Sequence, residues 1–119
     1  MSVAGYVSRA GEAEVRWLGE TSTAFLATGE STGGVFALVD ERAVHGESVP
    51  LHRHPEDMEA FYVVEGEVVM EIEGEAPRTL VPGDSYLVPA GRIHDVRAVG
   101  GRPARALATF VVERGRPLA

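Results

Sequence analysis

The sequence predicts an all-β fold, a sandwich or barrel of short strands. Two observations carry this reading. Fourteen glycines and seven prolines punctuate the 119 residues throughout, so the segments between turns are short. Several of those segments alternate apolar and polar side chains, the period of a strand with one side buried.

Residues 12–20 (EAEVRWLGE) fit either a short helix or an edge strand, with Trp17 and Leu18 available for burial. Residues 24–28 (AFLAT) and 35–40 (VFALVD) are apolar runs around GESTGG, a turn whose glycines can take positive φ. Residues 60–64 (AFYVV) and 67–73 (EVVMEIE) flank Glu65-Gly66, a hairpin signal. In the second run Val68, Met70 and Ile72 share one face, predicted to be buried. Residues 78–81 lead into the Pro82-Gly83-Asp84 turn, residues 85–88 follow, and Pro89-Ala90-Gly91 is a further turn. In residues 94–99, His94, Val96 and Ala98 share a face opposite Asp95, Arg97 and Val99. Residues 104–112 form a last, mostly apolar strand, and the tail GRPLA is expected to be loose. No linker or repeat divides the chain, so one domain is expected over residues 1–119.

Composition excludes several function classes. The formal charge is −7, which argues against a nucleic acid partner. There is no cysteine, hence no disulfide, thiolate ligand or thiol nucleophile. All eleven basic residues are arginines, so Schiff-base and phosphate-loop lysines are absent. No segment approaches the length of a membrane span or a secretory leader. No membrane association is expected, and the expected location is cytoplasmic.

The chemistry-bearing residues are histidines and one carboxylate. His52 and His54, spaced i and i+2, would share a face if they lie on a strand. Glu59 has the parity of Phe61 and Val63, so it is expected to point inward, where a cation is one remedy for a buried charge. His45, Arg92 and Arg97 read as solvated, and Glu41, Glu47, Glu56 and Asp57 as loop charge. Tyr86 carries a hydroxyl that could reach a ligand, though a structural role is the commoner one.

Residues 46–66 read G-x5-H-x-H-x4-E-x6-G, and residues 83–98 read G-x5-P-x-G-x2-H-x3-A. Together they closely resemble the two motifs of the cupin superfamily. The second departs at its last position, where the family often has Asn and this chain has Ala98. The resemblance implies a cupin-type jelly-roll β-barrel with a metal site at His52, His54, Glu59 and His94. Such a site takes one divalent transition metal, with Fe, Mn, Ni, Co, Cu and Zn all compatible with the nitrogen and oxygen donors. Three imidazoles and one carboxylate leave net positive charge and open coordination positions for a small-molecule substrate or dioxygen. Glu59 is also the candidate catalytic base. Phe61, Val63, Met70 and Val96 are candidate pocket walls, with Phe36 and Leu38 as further candidates.

The runs TSTAFLATGESTGGVFALVDE and PLHRHPEDMEAFYVVEGEV are similar to the quercetin dioxygenase-like branch of the superfamily. That similarity implies a dioxygenase acting on an enolisable or aromatic compound. An isomerase, cyclase or lyase using Glu59 for proton transfer stays open, as does a non-catalytic binding module. Small cupins commonly pair as dimers, and the segment bearing Trp17 and Leu18 is the expected homodimer contact.

Overall fold

Alternation sets the architecture. The computed structural model describes residues 3–44, 48–52 and 57–112, and within them every regular element is a strand. In order these are β1 (Glu14–Leu18), β2 (Thr21–Ala27), β3 (Phe36–Ala43), β4 (Ser48–His52) and β5 (Asp57–Glu65). They are followed by β6 (Glu67–Ile72), β7 (Arg78–Leu80), β8 (Ser85–Val88), β9 (His94–Val99) and β10 (Ala104–Val112). They form a six-stranded sheet, β1-β2-β3-β10-β5-β8, and a four-stranded sheet, β4-β9-β6-β7. Among the described residues every strand pairing is antiparallel. This is the jelly-roll arrangement the sequence predicts.

The core lies between the sheets. Phe61 and Val63 of β5, Val68, Met70 and Ile72 of β6, and Ala98 of β9 are all buried there. Each has the parity the sequence reading assigned. Val39 of β3 and Ala104, Ala106 and Ala108 of β10 complete the opposite wall. Small alanines on β10, the strand that pairs with both β3 and β5, leave room that larger side chains would fill.

The 12–20 segment resolves as an edge strand. Trp17 and Leu18 are 68% and 63% exposed on it, so they are not buried within this chain. The spacer after β2 turns on Gly33 and Gly34, both at positive φ. The Thr32 hydroxyl lies within hydrogen-bond reach of the Thr28 and Phe36 carbonyls there.

The Glu65-Gly66 signal needs correction. β5 and β6 do not pair; they belong to different sheets. Gly66 (φ 73°) turns the chain from one sheet to the other. A Cβ at this position would meet the Pro103 carbonyl oxygen at 2.5 Å and Ala104 Cα at 2.8 Å. Glycine is therefore fixed here by both backbone angle and close approach. Sequence shows that a tight turn is needed, but not which strands flank it in space.

The Pro82-Gly83-Asp84 turn anchors the far end of β5. Gly83 N–H donates to the Val63 carbonyl (2.9 Å), and Val63 N–H donates to the Asp84 carbonyl (3.0 Å). On the outer face, Asp40 of β3 receives two hydrogen bonds from Arg105 of β10, Nε to Oδ1 and Nη2 to Oδ2, both 3.0 Å. No helix of the described residues is long and apolar enough to cross a membrane.

Candidate metal and ligand site

Glu59 is positioned by β5 and His94 by β9, so one comes from each sheet. Their parity on the strands turns both side chains into the interior, where the residues are 4% and 1% exposed. His94 Nε2 lies 3.0 Å from Glu59 Oε1. His94 Nδ1 lies 3.1 Å from the Arg92 carbonyl. A carbonyl only accepts, so Nδ1 carries the hydrogen and Nε2 is the nitrogen turned toward Glu59. Burial lowers the pKa of this imidazole. The hydrogen bond to Glu59, the Arg92 carbonyl and the charges of Glu59 and Asp95 outweigh burial and raise it above the ordinary 6.5.

His52 closes β4, and its Cα pairs in register with His94 on β9. His54 lies outside the described residues, as do His45, Glu47 and Glu56. Among the described residues, no three His, Cys, Asp or Glu side chains cluster as a metal site.

The donor chemistry of the described pair fits a divalent metal. Metal bonds to His nitrogen and carboxylate oxygen are about 2.0–2.2 Å. Two such ligands at right angles stand roughly 3 Å apart, which is the Glu59–His94 separation. The Arg92 carbonyl fixes the imidazole tautomer in the manner of an outer partner to a ligating histidine.

A cavity of about 300 Å³ opens beside this pair. Phe61 and Val96 line it, as expected. Val63 and Met70 are buried in the core and are not among the residues that line it. Phe36 and Leu38 are also displaced. They have the opposite parity to buried Val39 and face a separate hollow beneath the N-terminal segment, where Tyr6 donates to the Leu26 carbonyl (2.9 Å). Tyr86 is not at the cavity; its hydroxyl donates to Glu75 (2.9 Å). Arg92 is not simply solvated, because its Nη2 donates to the Glu73 carbonyl (2.8 Å) and sits 3.4 Å from Glu75. Arg97 lies 3.6 Å from Glu71 in a half-exposed ion pair.

Glu41 is the main residue that sequence reasoning misplaced. It is on β3, not in a loop, and it lines the cavity with Thr21, Ala98 and Phe110. Burial, the charge of Glu59 and, more weakly, that of Asp40 push its carboxyl from 4.5 up to about 7, with His94 acting in the opposite sense. The signal was present: Glu41 has the parity of Val39 and Ala43. Reading VFALVD as a continuous apolar run hid that alternation.

Comparisons with known proteins place the chain in a family and a fold. Quercetin 2,3-dioxygenase of Bacillus subtilis (strain 168) is 34% identical over 92 residues, 77% of this chain and 27% of that protein. Dimethylsulfoniopropionate lyase DddQ of Ruegeria pomeroyi is 40% identical over 58 residues, 49% of this chain and 28% of that protein. The chain thus spans little more than a quarter of the length of either relative. A predicted oxalate decarboxylase from Thermotoga maritima superposes with a TM-score of 0.83 at 23% identity, covering 91% of this chain and all of that one. The structure of DddQ superposes with a TM-score of 0.73 at 26% identity, covering 87% of this chain and 58% of that one. The family model described as the cupin domain matches residues 40–110, and the chain belongs to the cupin family.

Proposed function

We propose that the chain binds one divalent transition metal through His52, His54, Glu59 and His94, and uses it to transform a small enolisable or aromatic molecule with dioxygen. The observation that carries this reading is the buried Glu59–His94 contact at 3.0 Å, formed across two sheets beside a mostly apolar cavity. The identity to a quercetin 2,3-dioxygenase over 77% of the chain supports dioxygenation as the reaction.

When bound, the metal supplies a Lewis-acid centre that favours the ionised form of an enol or phenol. The remaining work falls to side chains. The Arg92 carbonyl holds the His94 ring so that Nε2 presents its lone pair to the site. Glu59 holds a carboxylate oxygen beside the cavity, where it can accept a proton from an enol or acidic C–H. Phe61, Val96 and Phe110 line the reacting volume with apolar surface, which strengthens electrostatic contacts inside it relative to bulk water.

A second reading, proton transfer without oxygen by a lyase, isomerase or cyclase, is favoured by the 40% identity to DddQ over 58 residues. Two measurements test these readings. Metal analysis of purified protein should find one transition metal per chain, lost in His52→Ala; a parent that never takes up stoichiometric metal refutes the site. Turnover under nitrogen then separates the reactions: a dioxygenase stops, whereas a proton-transfer enzyme continues.

A further inference from the structure

The cavity has a second polar end that the metal reading does not use. Glu41 of β3 and Thr21 of β2 both face into it from the six-stranded sheet. In the β2–β3 ladder Glu41 pairs with Thr23, so Thr21 is a diagonal neighbour on the same face. Along β10, Glu41 is opposite Ala106 and Glu59 is opposite Phe110. The two carboxylates therefore stand two strands and four residues apart, roughly 10 Å across the sheet and about 13 Å along it at the backbone. Both side chains face one chamber from different strands, close enough for the charge of Glu59 to act on Glu41.

Neither group at this second end is explained by the fold. Thr21 is 5% exposed, and its Oγ1 has no hydrogen-bond partner among the described residues. Glu41 makes no side-chain hydrogen bond or ion pair with a described residue. An unpaired carboxyl and an unpaired hydroxyl on an apolar wall both cost stability. An aliphatic pair would pack better, so the structure needs another use for them.

We propose that Glu41, assisted by Thr21, is a substrate-positioning residue that hydrogen-bonds a hydroxyl group at the end of the substrate remote from the Glu59–His94 pair. The site would thereby select small ligands with a metal-chelating head and a hydroxyl tail over the same ligands ending in methyl or carboxylate. This rests on the metal reading above. A hydroxyl both donates and accepts, so it suits Glu41 in either protonation state. A terminal carboxylate would instead meet Glu41 with Glu59 nearby, two groups of like charge.

The test uses three hydroxypyrones sharing one chelating head: kojic acid (hydroxymethyl tail), allomaltol (methyl tail) and comenic acid (carboxylate tail). Binding to the zinc-loaded protein is measured by calorimetry, so that no turnover is needed. The parent should bind kojic acid about 10-fold more tightly than allomaltol, the scale of one hydrogen bond to an ionisable group, and comenic acid least. Glu41→Leu should erase the preference for the hydroxyl tail while binding zinc and allomaltol as the parent does. Glu41→Gln should keep that preference through its amide and lose the bias against comenic acid.

Unchanged discrimination in Glu41→Leu overturns the proposal, as does loss of all three pyrones from that variant when zinc is bound. A zinc-loaded parent that binds all three equally, or none, also overturns it and leaves the metal reading standing. A parent that takes up no zinc overturns the metal reading and this proposal with it.

Discussion

Replacing Glu41 by Gln should stabilise the metal-free protein at alkaline pH and change little in acid. The carboxyl is pushed from 4.5 to about 7, first by burial and then by the charge of Glu59, with Asp40 adding to the shift and His94 opposing it. Those are the charged groups that act on it; its strand neighbours on the same face, Thr23 and Ala106, carry none. The native state holds its proton more tightly than the unfolded chain. Its stabilising contribution is therefore complete below pH 4.5 and is lost as pH rises through about 7. That interval, at roughly 1.4 kcal/mol per pH unit, gives an upper limit of about 3 kcal/mol. Water reaching the cavity reduces this, and about 1–2 kcal/mol is expected. Urea unfolding of chelator-treated parent and variant, at about pH 5 and about pH 8, measures it. The two should nearly coincide in acid, with the variant more stable in base. Parallel pH dependences would refute the reasoning, because the carboxyl would then be as well solvated in the fold as in the unfolded chain.

Three further outcomes follow from the packing. Gly66→Ala should cost about 2–4 kcal/mol or prevent folding, since the added methyl needs positive φ and meets the 103–104 backbone below 3 Å; a variant with parental urea midpoint would contradict this. Arg105→Met should destabilise by about 1–2 kcal/mol by removing two hydrogen bonds from buried Asp40, with Arg42 at 3.6 Å compensating in part. A double-mutant cycle with Asp40→Asn reads that coupling, and a value near zero would exclude it. Edge strand β1 exposes Val15 and Trp17 on one face and Leu18 on the other, and we propose that a second copy of the chain covers the Val15–Trp17 face. Trp17→Arg should halve the mass seen by light scattering, and a monomeric parent removes the assignment.

Much of the fold was legible because parity alone determines which way a strand residue faces. Glu59, Phe61 and Val63 turn inward together, and His94, Val96 and Ala98 do the same. The family motif then supplied what parity cannot, namely that β5 and β9 meet across the interior. Depth was not legible. Val63 and Met70 have inward parity yet are not among the residues that line the cavity. Sheet membership was hidden as well: Gly66 reads as a hairpin glycine, and only the close approach of residues 103–104 reveals a crossing between sheets. Glu41 was misplaced because Asp40, beside it, is also largely buried, held by Arg105 on the outer face. Two adjacent acids turned to opposite sides look like a loop in one dimension.

The Glu59–His94 contact is also a mechanical link. Each partner belongs to a different sheet, and among the described residues no backbone ladder joins β5 to β9. Prying the two layers apart at that end pulls the donors out of register before any strand unzips. Whatever ion or proton the pair shares thus ties the two layers together at that end. Its loss should loosen them there, as faster amide exchange along β9 would show.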